Sequence, residues 1–248
     1  MSKLRSHLKV TGQVDDMIFY KNRLAGCIVG RKRDFTLSQK VKESPVYENL
    51  RSHQRAMGFT SHACKLLRDC LSPAIHDIAD NTMNTRLLLP ALALTKLYSS
   101  NGWNEHPFET KAANALNGFA FNKRANVTNV LSGNICIEVA ENEVRLVFEK
   151  VEAQLVKTAT HFKVMSSVGG IDFINERHKT ISVESTYYPY NENGVDFQLV
   201  TPLPKGFPVY YFVLSVRQYG YDEGRYASRK NRTGKAANIM AVVVRGRE

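Results

Sequence analysis

The spacing of apolar positions changes character along this chain, and the changes predict its elements. Val46, Tyr47, Leu50, Met57, Cys64, Leu67 and Leu71 recur at three-, four- and seven-residue steps, which predicts one amphipathic helix over residues 44–71. Ser44 is placed to be its N-cap and Pro45 its first helical residue, where a missing backbone N–H costs little. Gly58 weakens the middle by roughly 1 kcal/mol relative to alanine, so a break is expected near it if anywhere. Ser72-Pro73 predicts a new short helix over residues 74–78. Met83, Leu87, Ala91, Leu94 and Leu97 place another over residues 81–98, bent at Pro90. Ahead of the long helix, Leu8, Val10 and Gly12, then residues 17–20, a turn at Lys21-Asn22 and a return run over 24–29 predict a β-hairpin. Residues 35–43 are polar and predict an arm or loop.

From Gly118 onward the period falls to two. Phe119 and Phe121 alternate with small residues, Ile135, Ile137 and Val139 with polar ones, and Val144, Leu146 and Phe148 likewise. Further strands are expected at 161–168, 171–174, 180–188, 195–200, 209–219 and 236–244, with turns at Gly169-Gly170, 191–194 and 202–206. The expected fold class is α+β: an N-terminal β-hairpin and helices over residues 1–115, then an antiparallel β-sandwich over 116–248, Greek-key or jelly-roll-like. The stretch 220–234 reads as a long basic loop.

Charge adds a partner to this picture. The formal net charge is +11, and it is uneven: residues 1–72 carry 14 Lys plus Arg against 6 acids, 73–216 carry 12 against 14, and 217–248 carry 8 against 3. Basic extremities suit nucleic acid, an acidic protein or an anionic membrane surface. The densest cluster is Arg31, Lys32 and Arg33, beside Phe35. Arg51 and Arg55 stand four apart on the long helix and so share a face. Arg225, Arg229, Lys230 and Arg232 fall in the 220–234 stretch, interleaved with Tyr219, Tyr221 and Tyr226, rings able to stack on bases. No RRM or KH consensus accompanies them. For a protein partner, Phe19, Tyr20 and Trp103 are the candidate apolar anchors.

Candidate chemistry is sparse. There is no GxSxG, no GxGxxG and no GxxxxGK[ST], because Gly234-Lys235 is followed by Ala236. Cys64, His62 and Asp69 form a remote catalytic trio at best. Cys27, Cys64, Cys70 and Cys136 lack CxxC spacing and are expected to be reduced thiols holding no metal. No cofactor is expected. Residues 1–10 are basic with no apolar run behind them, and the longest apolar run, 87–94, is far short of the roughly 20 residues that span a bilayer. A soluble protein is expected, cytoplasmic or assembled into a particle made there.

The order of a hairpin with Phe19-Tyr20 and a basic exit, a helix entered through Ser44-Pro45, the run Leu116-Asn117-Gly118-Phe119-Ala120-Phe121-Asn122 and a strand-rich remainder resembles a group of uncharacterised proteins from Bacteroidota and their mobile elements. The resemblance implies a bacterial or phage context and a helix-plus-sandwich layout, with no activity and no site residues attached. Together these features lead to two expectations. The first is a non-enzymatic structural or interaction subunit of a larger bacterial or phage-related assembly, docking through its basic extremities onto protein partners or by self-association. The alternative is a protein binding RNA or DNA through basic and aromatic surface residues.

Overall fold

The computed structural model describes residues 3–4, 11–15, 17–22, 27–32, 37–99, 106–154, 156–190, 193–228 and 232–246. The chain divides into two compact units, residues 1–55 and 56–248. The boundary read from the change of period, at 115/116, falls elsewhere, because the segment 56–115 shares its apolar core with the later strands.

The first unit is built on a four-stranded antiparallel sheet of β1 (Lys3–Leu4), β2 (Gly12–Val14), β3 (Met17–Asn22) and β4 (Cys27–Lys32), in the order β1-β4-β3-β2. A β3–β4 hairpin forms as expected, but Lys21 and Asn22, expected as its turn, are the last residues of β3, and the basic cluster residues Arg31 and Lys32 lie on β4. Helix α1 (Leu37–Glu43) occupies most of the expected polar arm. A single 3-10 turn, Pro45–Tyr47, separates it from α2, and Ser44 precedes that turn without a side-chain capping bond.

Helix α2 (Glu48–Ile75) is unbroken at Gly58 and passes through Ser72-Pro73, where a new helix was expected. Pro73 lies in the last turn, so its missing N–H removes a single bond near an end that frays anyway. Helix α3 (Met83–Ser99) carries Pro90 inside it. Asp80 fixes its start. One carboxylate oxygen accepts from the Thr82 backbone N–H (2.7 Å) and hydroxyl (2.6 Å), the other from Arg86 (2.8 Å) and the Lys123 N–H (2.6 Å).

Next come 3-10 turns at Pro107–Glu109 and Lys111–Leu116 and a short helix α4 (Val127–Val130). The strands of the second unit follow: β5 (Leu131–Val139), β6 (Glu143–Ala153), β7 (His161–Asp172), β8 (Arg177–Glu184), β9 (Tyr188–Pro189), β10 (Val195–Pro202), β11 (Val209–Asp222), β12 (Arg225–Ser228) and β13 (Lys235–Val244). They form two antiparallel sheets, β10-β6-β5 and a larger one in which β11 pairs with β7, β12 and β13, and β7 with β8 and β9. The consecutive strands β6 and β7 lie in different sheets, as do β10 and β11, and β10 returns to β6 while β11 returns to β7.

Alternation along β11 sorts its side chains into two cores. Leu214 and Val216 meet Leu146 and Phe148 of β6 and Leu199 of β10 between the sheets. Val209, Tyr211 and Val213 point the other way, into a layer made by Ala63, Leu67 and Leu71 of α2 and Leu87 and Ala91 of α3. Helices cover one face of the large sheet and the small sheet covers part of the other.

The run 116–122 serves a structural purpose. Phe119 and Phe121 were expected to open the sandwich as a strand. Instead the segment lies along the outer edge of β13, exchanging backbone bonds from Gly118 N–H to Ile239 O (2.7 Å), Ile239 N–H to Phe119 O (3.0 Å) and Phe121 N–H to Ala237 O (2.9 Å). It thereby satisfies groups that an open edge strand would leave unpaired. Gly118 turns into this path at φ +77°, a conformation that costs glycine little.

Candidate interaction surfaces

In the N-terminal sheet, register separates residues that adjacency in sequence would group. Phe19 pairs with Gly30, Tyr20 with Val29, Ile18 with Arg31 and Met17 with Lys32. Paired residues share a face and neighbours alternate. One face therefore carries Met17, Phe19 and Ile28 with Lys21 and Lys32, and the other Ile18, Tyr20 and Val29 with Arg31. Phe19 lies across Gly30, where a Cβ would stand only 3.0 Å from its ring. Both faces are apolar in the centre and basic at the rim. Of their described apolar side chains only Val29 is buried.

The helical arginines have different roles. Arg51 donates to Val41 O (2.8 Å) and Ser44 O (2.7 Å) and pairs with Glu48. It closes the carbonyl end of α1 against the start of α2, and its guanidinium is consumed by that structural task. The bond from Arg51 and its charge hold the Glu48 carboxyl below its usual range. Arg55 is exposed. Arg33, Trp103, Arg229 and Lys230 lie outside the described residues, as does the side chain of Arg232.

Arg225, expected in a loop, is on a strand. β11 continues to Asp222, Glu223 and Gly224 turn at φ +46° and +82°, and β12 pairs back with Tyr221 opposite Tyr226. On one face of this hairpin and the adjoining β7, rings gather. Tyr187 and Tyr226 stack at 3.8 Å and 1°, Tyr187 meets Tyr219 edge-on at 5.0 Å, and His161 meets Tyr226 edge-on at 5.1 Å. Lys163, paired with Glu184, has its ammonium 5.0 Å from the Tyr187 ring centre. Alternation in the sequence singles out Tyr219, Tyr221 and Tyr226. Tyr187 and His161 carry no such signal, because only the long-range pairing of β7 with β11 brings them in.

A groove of about 780 Å³ adjoins this surface, with His161 and Thr160 in its wall together with Gln154, Lys157 and Tyr190. The Thr160 hydroxyl accepts from the Tyr221 N–H (3.0 Å) and bonds to His161 Nδ1 (2.9 Å), fixing the imidazole between groove and rings.

The trio of Cys64, His62 and Asp69 is not assembled. His62 and Cys64 are two helical positions apart, turned by about 200° from each other. His62 is exposed and 3.8 Å from Glu176, while Cys64 is buried and burial pushes its thiol up to about 11 despite Arg68. Cys70 is buried and raised to about 11 likewise. Among the described residues no group of three or more His, Cys, Asp or Glu is placed to hold a metal ion, and no helix is long and apolar enough to cross a membrane. Comparison with protein-family models, with curated proteins and with solved structures gives no match.

Proposed function

We propose that this chain is a non-enzymatic subunit of a larger bacterial or phage-related assembly and docks through its N-terminal unit. The observation that carries the reading is the sheet β1-β4-β3-β2. It has apolar residues at the centre of both faces, yet no buried apolar cluster forms within residues 1–55 among the described residues. A small sheet without a packed layer is marginal by itself, and a partner surface supplies the missing layer. The charge of the unit selects the partner. Residues 1–55 hold 12 Lys plus Arg against 5 acids, giving +7 of the total +11, which favours an acidic protein surface around apolar contacts.

The test is purification from the native source with and without nuclease, followed by sizing. A complex that survives nuclease and moderate salt, and that weakens by roughly tenfold to a hundredfold in Phe19→Ala or Tyr20→Ala, supports the reading. Because Phe19 and Tyr20 lie on opposite faces, the more damaging substitution identifies the face that docks. Collapse to a monomer with release of RNA or DNA sinks the reading and favours nucleic-acid binding.

A further inference from the structure

The small sheet β10-β6-β5 turns one face to the large sheet and leaves the other open. Leu146, Phe148 and Leu199 point inward, so alternation sends Val147, Cys136 opposite it and Val200 outward. Cys136 is exposed and the two valines are half-buried, and among the described residues none of the three joins a buried apolar cluster. Around this apolar centre the face is acidic. Glu138 and Glu143 flank Arg145, Glu149 lies beside Asn134, and Asp196 accepts from the Lys150 backbone N–H at 2.6 Å. The three strands hold five carboxylates against two cations, in a chain whose net charge is +11. The connecting segments 140–142 and 191–194 add Glu141 and Glu192 and no cation. Lys157 approaches one end of the sheet, and Lys205 and Arg245 the other. Counting all three leaves seven carboxylates against five cations.

The N-terminal sheet has the opposite character. Its face with Met17, Phe19 and Ile28 at the centre also carries Lys21 and Lys32, in a segment whose net charge is +7. Two sheet faces of opposite charge, each with an apolar centre, complement one another, and both belong to one chain. Helix α2, which carries the chain into the second unit, packs there on the opposite face of the large sheet from β5, β6 and β10. A contact between two different surfaces is heterologous: it joins copies head to tail, closing into a ring or extending as a filament. Resting on the docking reading above, we propose that the partner is a second copy of this chain. The Phe19 face of one N-terminal sheet seats on the outer face of β10-β6-β5 of the next copy, with Lys21 and Lys32 among Glu138, Glu149 and Asp196.

The experiment is sedimentation velocity of the purified, nuclease-treated full chain from dilute to concentrated solution. Glu138→Lys/Glu149→Lys and Lys21→Glu/Lys32→Glu are run alongside, with thermal melts as the folding control. The proposal expects the parent to shift from monomer to multiples of the chain mass as concentration rises. Cys136, open to alkylation in the dilute chain, should become shielded over the same range, and neither readout needs a variant. Each charge-reversed variant alone should associate roughly tenfold more weakly or worse. Mixed together they should associate again, because the intact N-terminal sheet of one meets the intact acidic face of the other, a recovery that misfolding cannot produce. The proposal is overturned if the parent stays monomeric at every concentration, if association leaves Cys136 as reactive as before, or if mixing the two folded variants restores nothing. A monomeric parent whose native-source complex still weakens in Phe19→Ala removes this partner and leaves the docking reading standing. Collapse of the native complex under nuclease removes the docking reading itself.

Discussion

Arg217 Nε donates to Asp77 Oδ1 at 2.9 Å, joining β11 to the residue two positions past the end of α2. Lys235 of β13 reaches the other oxygen of the same carboxylate at 2.7 Å, and the Arg217 guanidinium also meets the Pro73 and Ala74 carbonyls. One carboxylate therefore holds two mostly buried cations and fixes the helix layer to the sheet at the border of the aromatic surface. Removing it leaves two like charges facing each other at the sheet. Asp77→Ala is expected to destabilise the chain by about 1–3 kcal/mol, read as a lower midpoint in urea unfolding. A midpoint unchanged from the parent would mean that the cations find water instead.

Stability should also depend on acid. At Asp77 burial pushes the carboxyl up, but Lys235 and Arg217 outweigh it and hold it below the ordinary carboxylate range. At Asp80 burial acts upward too, and the bonds from Thr82 and Lys123 with the Arg86 charge bring it far down. Both folded values lie below the unfolded ones, so the stabilisation is fully present above about pH 4 and is lost as pH falls through the folded values. A melting temperature flat from neutral pH to about pH 5 and falling below pH 4 is expected. Asp80→Asn should start lower at neutral pH and fall less steeply, and an equally steep fall would place the acid sensitivity elsewhere.

Much of the fold was legible in the sequence because the signals are local. The alternation of Val144, Leu146 and Phe148 is the inward face of β6, and Leu67 and Leu71 mark the buried stripe of α2. Other features were hidden for identifiable reasons. Helix α1 has no apolar stripe to announce it. The hairpin β11–β12 turns at Glu223-Gly224, where an acidic residue accepts a positive φ, so the glycines read as a loop. The role of Arg51 was unreadable because it bonds to two backbone carbonyls, and its spacing from Arg55 suggested a shared anion face. Tyr187 and His161 join the ring cluster through contacts that no short window of sequence contains.

The thiols should differ sharply in reactivity. Cys64 and Cys70 are buried and held near 11, whereas Cys136 is exposed on β5. In a timed alkylation of the native protein followed by peptide mapping, Cys136 is expected to label first of these three described thiols. Cys64 and Cys70 should label only when denaturant is added. Early labelling of Cys70 would show that α2 leaves the sheet readily in solution.

Gly169 explains how closely α2 approaches that sheet. It lies on the helix-facing side of β7, and a Cβ built there would stand 2.6 Å from Cys70 Sγ and 3.0 Å from a Leu71 methyl. Thr180 on the neighbouring strand donates its hydroxyl to the Cys70 carbonyl, so the helix is pinned at the point of contact and cannot slide away cheaply. Gly169→Ala is therefore expected to cost about 1–3 kcal/mol through overpacking. Cys70→Ala removes the atom in the way, so the double variant should be more stable than the two separate losses predict, with a coupling of about 1 kcal/mol or more. Gly170 supplies the control. It faces the opposite side of β7, where an added Cβ meets the Phe207 ring at 2.7 Å, so Gly170→Ala should destabilise and Cys70→Ala should not relieve it. Chemical denaturation of the five variants closes both cycles. Simple additivity for Gly169 with Cys70 would show that the glycine is required by the strand backbone rather than by the helix above it.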